Sequence, residues 1–323
     1  MYKLDVDGFQ PIKDQDLDSM AQSLPAHRVA IRLVSQDGQQ YDHIACTGSK
    51  IFAFDCGGGS SMMYDSKTST VAICPPLVAP KGGTHRTPEL LAVGNDIYAL
   101  ETNANLHGFH RWLEKLGPAP RSRGREEWRW QPLPRPPFKL PVYISSTAMH
   151  PDGSTLFLSF SDRGTFSFDT DSLAWTRLGD WLLPFRGEAY FVRELDAWVG
   201  LSDQLGYIGV CQVISPDGRP ADRPTWTTVR ERVYTNLCRR YRSASLTYMG
   251  NAEFCLLENL TREGHQNCTD DDPKMLLRLA TFRVERRRNH ELRAVNMRTR
   301  VYKWPHRDVG ELSPTAFWIS QDD

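Results

Sequence analysis

The sequence predicts an all-β fold: a β-propeller of about five complete blades, with a partial sixth built from N-terminal strands. Three observations carry that reading. A strand–turn–strand pattern recurs along the chain every roughly 40–50 residues, the spacing of propeller blades. Tryptophans recur near the ends of apolar runs, at Trp112, Trp128, Trp130, Trp175, Trp181, Trp198, Trp226, Trp304 and Trp318. Rings at such places fill the wedge between neighbouring sheets. No stretch has a persuasive helical period, and only residues 14–24 could form a short helix.

The clearest repeat runs Lys50-Ile51-Phe52-Ala53-Phe54-Asp55, then a Gly57-Gly58-Gly59 turn, then Met62-Met63-Tyr64-Asp65, a polar turn, and Thr70-Val71-Ala72-Ile73-Cys74 before two prolines. A second copy has Thr155-Leu156-Phe157-Leu158-Ser159-Phe160, the turn Asp162-Arg163-Gly164, then Thr165-Phe166-Ser167-Phe168-Asp169 and Ala174-Trp175-Thr176-Arg177-Leu178. Both place an aromatic residue and Asp at the end of the second strand.

Taken in order, residues 1–36 supply about half a blade, from an alternating strand at 2–6 and another at 28–33. Residues 41–78 form the first full unit. Residues 88–135 form the next, with Asn95-Asp96 as a hairpin turn and a Gly-, Pro- and Arg-rich surface loop at 115–125. Further units follow at 143–185, 187–229 and 243–304, the last interrupted by a polar insertion at 261–273. The propeller repeats thus span 41–304 within one structural domain, and 305–323 is a tail. The N-terminal piece supplies only about two strands, which predicts an incomplete blade there, with one unpaired edge strand or an open gap, and Met1 as a shortened or alternative start.

Composition narrows the functional classes. The 323 residues carry 39 basic and 39 acidic side chains, so no global field steers the chain to nucleic acid or an anionic membrane. No apolar run reaches the roughly 18–20 residues that span a bilayer. The seven cysteines are scattered singly, which fits reduced thiols in the cytoplasm or nucleus.

Several motifs invite chemistry and are better read as structure. Gly57-Gly58-Gly59-Ser60-Ser61 leads into a strand-like segment, whereas a phosphate loop needs a helix N-terminus. His107 and His110 would point to opposite faces of a strand. Asp270-Asp271-Asp272 lacks the alternating oxygen ligands of a calcium loop. Arg283-Val284-Glu285-Arg286-Arg287-Arg288 resembles a basic import or nucleic-acid patch, but falls at an expected hairpin. Arg239-Arg240-Tyr241-Arg242 could stack on RNA, or be a solvated connection. There is no Gly-x-Ser-x-Gly elbow. No catalytic residue, cofactor or metal is expected.

Tyr64-Asp65-Ser66-Lys67-Thr68-Ser69-Thr70-Val71, Gly179-Asp180-Trp181-Leu182-Leu183-Pro184-Phe185-Arg186-Gly187 and Leu195-Asp196-Ala197-Trp198-Val199-Gly200-Leu201-Ser202 resemble one family. It is the cereal plant family known as domain of unknown function number 1668, related to kelch-like propellers. The resemblance covers nearly the whole chain. It implies a kelch-like propeller and brings no activity and no catalytic residues.

The expected function is a non-enzymatic β-propeller acting as a protein-interaction module. A propeller presents loops on a rigid scaffold. Arg and Trp are frequent binding hot spots, so the interaction residues expected are Arg111, Trp112, Arg121, Arg125, Arg186, Arg239 and Tyr241. The rivals are an enzyme or small-ligand binder using the channel mouth, and a substrate adaptor of a ubiquitin ligase. Trp181 and Trp198 are both expected to be buried.

Overall fold

The computed structural model describes residues 3–11, 17–26, 43–54, 61–77, 89–100, 113–120, 126–139, 142–216, 223–234, 241–261, 275–304 and 315–319. These residues are nearly all β. Two short strands, β1 (Gln10–Pro11) and β2 (Gln22–Ser23), flank a single helical turn, α1 (Leu17–Met20). Four-strand antiparallel meanders follow. The first is β3 (His43–Thr47), β4 (Lys50–Phe54), β5 (Ser61–Asp65) and β6 (Thr70–Cys74). The second is β7 (Glu89–Val93), β8 (Asp96–Leu100), β9 (Leu113–Pro120) and β10 (Glu126–Pro132). Then come β11 (Ile144–Met149), β12 (Thr155–Phe160), β13 (Gly164–Asp169) and β14 (Ala174–Gly179). The next run is β15 (Phe185–Val192), β16 (Ala197–Ser202), β17 (Ile208–Gln212) and β18 (Trp226–Thr228). The last is β19 (Tyr241–Gly250), β20 (Glu253–Thr261), β21 (Met275–Arg286) and β22 (Leu292–Trp304).

The chain divides into two compact units. One comprises Met1–Arg32, Pro184–Val213 and Pro224–Trp318; the other comprises Leu33–Leu183, Ile214–Arg223 and Ile319–Asp323.

The second unit explains the recurring aromatic-Asp pattern. The Asp169 carboxylate accepts hydrogen bonds from the backbone N–H groups of Asp171 (3.0 Å) and Ser172 (2.6 Å) and from the Ser172 hydroxyl (2.8 Å). Asp65 accepts equivalent bonds from the Lys67 N–H (2.9 Å), the Thr68 N–H (3.4 Å) and the Ser49 hydroxyl (2.9 Å). In both copies the next residue reaches back across the meander. Ser66 N–H donates to the Ser49 carbonyl at 2.8 Å, and Thr170 N–H to the Ser154 carbonyl at 3.0 Å. The Asp therefore satisfies turn donors that would otherwise be orphaned. The turn residues Ser69 and Leu173 then take left-handed φ of 57° and 59°. At the β11–β12 turn, Asp152 plays a related part, accepting from Ser154 N–H (2.9 Å) and from the N–H and hydroxyl of Thr155 (2.8 and 2.7 Å).

Gly164 opens β13 at φ +85°, and a Cβ there would lie 2.1 Å from the Gly179 carbonyl oxygen. Only glycine fits that contact.

Phe52, Phe54, Ile97 and Leu116 form one buried cluster of this unit, with Trp128 and Trp130 packed against it. Leu158, Phe160, Phe166 and Phe168 form another, with Trp175 at its margin. In the first unit, Val199, Val210, Phe254, Leu256 and Phe282 form the largest cluster.

Several expectations are corrected. Of the surface loop foreseen at 115–125, residues 115–120 are strand, because β9 runs to Pro120, and residues 121–125 lie outside the described residues. Pro118 and Pro120 fit there because β8 pairs with β9 only as far as Leu116. Beyond that point only β10 pairs among the described residues, so the missing N–H groups face the side that no described strand occupies. The strand expected at 2–6 is not formed among residues 3–6. The N-terminal segment instead pairs with the last meander: β1 is antiparallel to β22, with Gln10 opposite Thr299, and β2 is parallel to it, with Gln22 opposite Tyr302. Leu4, Val6 and Leu24 pack beside Phe9 and Tyr302, and that burial drives the docking. Part of the β22 edge is thus paired, at Arg298, Thr299, Tyr302 and Lys303. Trp198 is fully buried, but Trp181 is only half-buried. The reason is local: the Trp181 ring lies over Gly179, close enough that a Cβ on that glycine would stand 2.3 Å from Nε1. The strand expected at 28–33, the glycine turn at 57–59, His107, His110 and Asp270–Asp272 lie outside the described residues.

Candidate functional site

Of the interaction residues expected from sequence, Arg186 is described in full. It stands in a bulge at the start of β15. Phe185 pairs with Ser202, but the next pair is Ala189 with Gly200, so Arg186, Gly187 and Glu188 are extruded from the ladder. Gly187 takes φ +71° there. Bulges of this kind re-aim side chains, and Arg186 and Glu188 are both exposed. Arg186 Nε lies 3.9 Å from Asp203 Oδ1, a loose ion pair. Burial raises the Asp203 carboxyl above its ordinary value, against the pull of Arg186.

Beside the bulge, the Tyr190 hydroxyl lies 2.9 Å from both Glu188 Oε2 and the Leu246 carbonyl oxygen. Burial first, and then the Glu188 charge, hold the phenol far above its ordinary pKa. Tyr190 therefore serves as a hydrogen-bond donor and not as a base. Its ring stacks on Tyr248 at 6.1 Å, which in turn meets Phe254 at 5.2 Å. Arg111, Trp112, Arg121, Arg125 and Arg239 lie outside the described residues, and Tyr241 opens β19 with a side chain that also lies outside them.

Two features were not anticipated. The first is a cleft of about 400 Å³ in the first unit. Its floor is the outer half of the β16–β18 sheet, with Ala197, Val210, Gln212, Thr225 and Thr227, and its far wall is Arg286 and Leu292 from the β21–β22 hairpin. The hairpin is pinned in place. Arg286 Nη2 donates to the Leu195 carbonyl at 3.1 Å, and Arg230 N–H to the Leu292 carbonyl at 3.0 Å. Arg230 pairs with Glu291 at 3.1 Å. Arg293 pairs with Glu231, whose other oxygen accepts the Ala294 N–H at 2.7 Å. Trp226 also lines the cleft and is 39% exposed.

The second feature is a face of the first meander. Register places Ile44, Ala53, Met62 and Ile73 in one row across four strands, and Cys46, Ile51, Tyr64 and Val71 in the next. The opposite face holds Phe52, Phe54, Met63 and Cys74 in the core. On the first face Ile44, Val71 and Ile73 are 41%, 51% and 78% exposed. Strands apolar on both sides normally belong to sheets covered on both faces. The alternation hid this from a reading that sought polar functional residues.

Four of the cysteines lie among the described residues. Burial pushes the thiols of Cys46 and Cys74 up to about 11, and those of Cys211 and Cys255 up to about 12. None of these is a thiolate nucleophile near neutral pH. Among the described residues no three His, Cys, Asp or Glu side chains gather as a metal site would require. No helix among them is long and apolar enough to cross a membrane.

Comparison with solved structures finds distant likenesses. One is a structural-genomics protein of unknown function from Bacteroides thetaiotaomicron, at 10% identity and TM-score 0.40, over 73% of this chain and 54% of that one. The chain thus spans about half the length of that protein. Another is the β-propeller domain of Cps50 (Swd1) from Myceliophteria thermophila, at 9% identity and TM-score 0.37, over 80% of this chain and 86% of that one. No curated protein matches the sequence. A family model described as a protein of unknown function (DUF1668) matches residues 1–302.

Proposed function

The chain belongs to the DUF1668 family, and from that premise we propose that it is a kelch-like β-propeller working as a non-enzymatic protein-interaction module. The propeller reading rests on the succession of four-strand antiparallel meanders along the chain. Repeated sheets of this kind hide their faces by packing on one another.

One observation carries the interaction role: the apolar face of β3–β6, on which Ile44, Val71 and Ile73 are exposed. Contiguous apolar surface of this kind marks protein contacts. We place its work in the cytoplasm or nucleus, where the free Cys46, Cys74, Cys211 and Cys255 would stay reduced.

The test is affinity purification with mass spectrometry, run in parallel on the native chain and on Ile73→Asp. A protein recovered by the first and lost by the second supports the module. An identical set from both, together with turnover of a screened substrate, rejects it.

A further inference from the structure

We infer that the outer edge of β18, with the cleft beside it, takes an acidic polypeptide segment as an added β-strand. The inference rests on the binding-module reading and names a second surface with its own partner chemistry.

The edge comes first. β18 ends its run of strands, and among the described residues nothing pairs with its outer side. Its inner side is fixed by register. The Gln212 N–H donates to the Thr225 carbonyl, and the Val229 N–H to the Ile208 carbonyl. Backbone groups alternate along a strand. Thr225, Thr227 and Val229 therefore point their polar groups at β17, and Trp226 and Thr228 point theirs outward. That outward row is a template for strand addition, the mode in which main-chain bonds supply affinity and alternate side chains supply specificity.

Charge then selects the occupant. The hairpin facing the cleft carries Arg286, Arg287 and Arg288, all exposed. Arg287 lies 3.8 Å from Glu285, and Arg288 makes no ion pair among the described residues. The acids nearby are largely engaged: Glu291 with Arg230 and Arg293, and Glu231 with Arg293. Asp196, with Glu194 before it, remains on the cleft lip. The arginines outnumber those acids, so an added strand bearing Glu or Asp at alternate positions would meet cations on the cleft side. The floor beneath offers Ala197 and Val210, which suits small apolar residues between the acids. A nucleic acid would use the arginines but neither the backbone row nor the apolar floor, so the polypeptide is the better fit.

The hairpin brace makes the site ready before binding. Its fastening to Leu195, Arg230 and Glu231 holds the cleft open without a ligand, which spares the ordering cost of association.

The probe is a fluorescein-labelled peptide of alternating Glu and Val, about ten residues long and so longer than the β18 edge, followed by anisotropy on the full chain. Saturable binding is expected, with a peptide of alternating Lys and Val failing to bind. Arg287→Glu combined with Arg288→Glu should weaken binding at least about tenfold. Thr228→Pro should weaken it similarly while leaving the melting temperature in place, because the lost N–H points away from β17. An N-methylated Glu-Val peptide gives the same test without altering the protein, and should fail to bind. The inference is overturned by no binding at about 1 mM peptide, by undiminished binding of the N-methylated peptide, or by tighter binding of a short oligouridylate that the Arg→Glu changes abolish. Ile73→Asp should bind the Glu-Val peptide unchanged. Loss of a cellular partner in Ile73→Asp, with no Glu-Val binding by either chain, would remove this inference and leave the module standing.

Discussion

The Arg278 guanidinium donates to the Glu258 carboxylate where both side chains are almost wholly shut from water, at 7% and 0% exposure. The same guanidinium also reaches the Val233 carbonyl, at 3.3 and 3.4 Å through its two terminal nitrogens. Two charges on facing strands β20 and β21 thus depend on each other inside the sheet, and hold the 233 segment against it.

Removing one partner alone strands a buried charge. Glu258→Gln should cost about 3–5 kcal/mol in a denaturant titration. Glu258→Leu with Arg278→Met should recover most of that loss. A single change costing less than the double one would show that the pair is not acting as a unit.

Trp198 and Trp181 should separate under the same substitution. Trp198→Ala removes a ring with no exposed surface, and should destabilise by about 3–5 kcal/mol. Trp181→Ala removes a half-buried ring and should cost distinctly less. Equal losses in urea unfolding would contradict the packing described.

Acid should act on Asp152. Burial would raise its carboxyl, but the bonds from Thr155, Ser154 and His150 outweigh that and hold it at about 2. A depressed carboxyl stabilises the fold above its unfolded value of about 3.9 and loses that contribution as pH falls through about 2. Asp152→Asn should flatten the stability profile between those limits. The loss at neutral pH should be about 1 kcal/mol, since the group is partly solvent-screened. A parallel acid limb in melting curves of both proteins would remove Asp152 from the account.

Ile73→Lys should leave stability within about 0.5 kcal/mol of the native chain, because the side chain is mostly exposed on an edge strand. A loss of several kcal/mol would show that this face is covered after all.

How much of this was legible depends on what each residue's neighbours are. The aromatic-Asp repeat was readable because its cause is local: the Asp65 and Asp169 carboxylates bind N–H groups two and three residues on. Strand order inside each meander was readable for the same reason. The β9 strand was hidden, because Gly117, Pro118 and Pro120 speak for a loop until it is known that β8 stops short. Arg186 was found by residue type, and the bulge that exposes it could not be. The cleft draws on four separated stretches of chain, and the exposure of Ile44, Val71 and Ile73 depends on how the rest of the fold packs around β3–β6. Neither leaves a pattern in a single window of sequence.

The fastening of β1 and β2 to β22 has a consequence for biosynthesis. The Arg300 guanidinium bonds the Gly8 carbonyl, and the two residues are 292 positions apart. A ribosome delivers the segment around Gly8 long before its docking strand. Through most of synthesis Leu4, Val6 and Phe9 therefore have no native surface to rest on. Contacts of such separation slow folding, so until Tyr302 emerges the nascent chain carries an undocked apolar segment that a chaperone could hold.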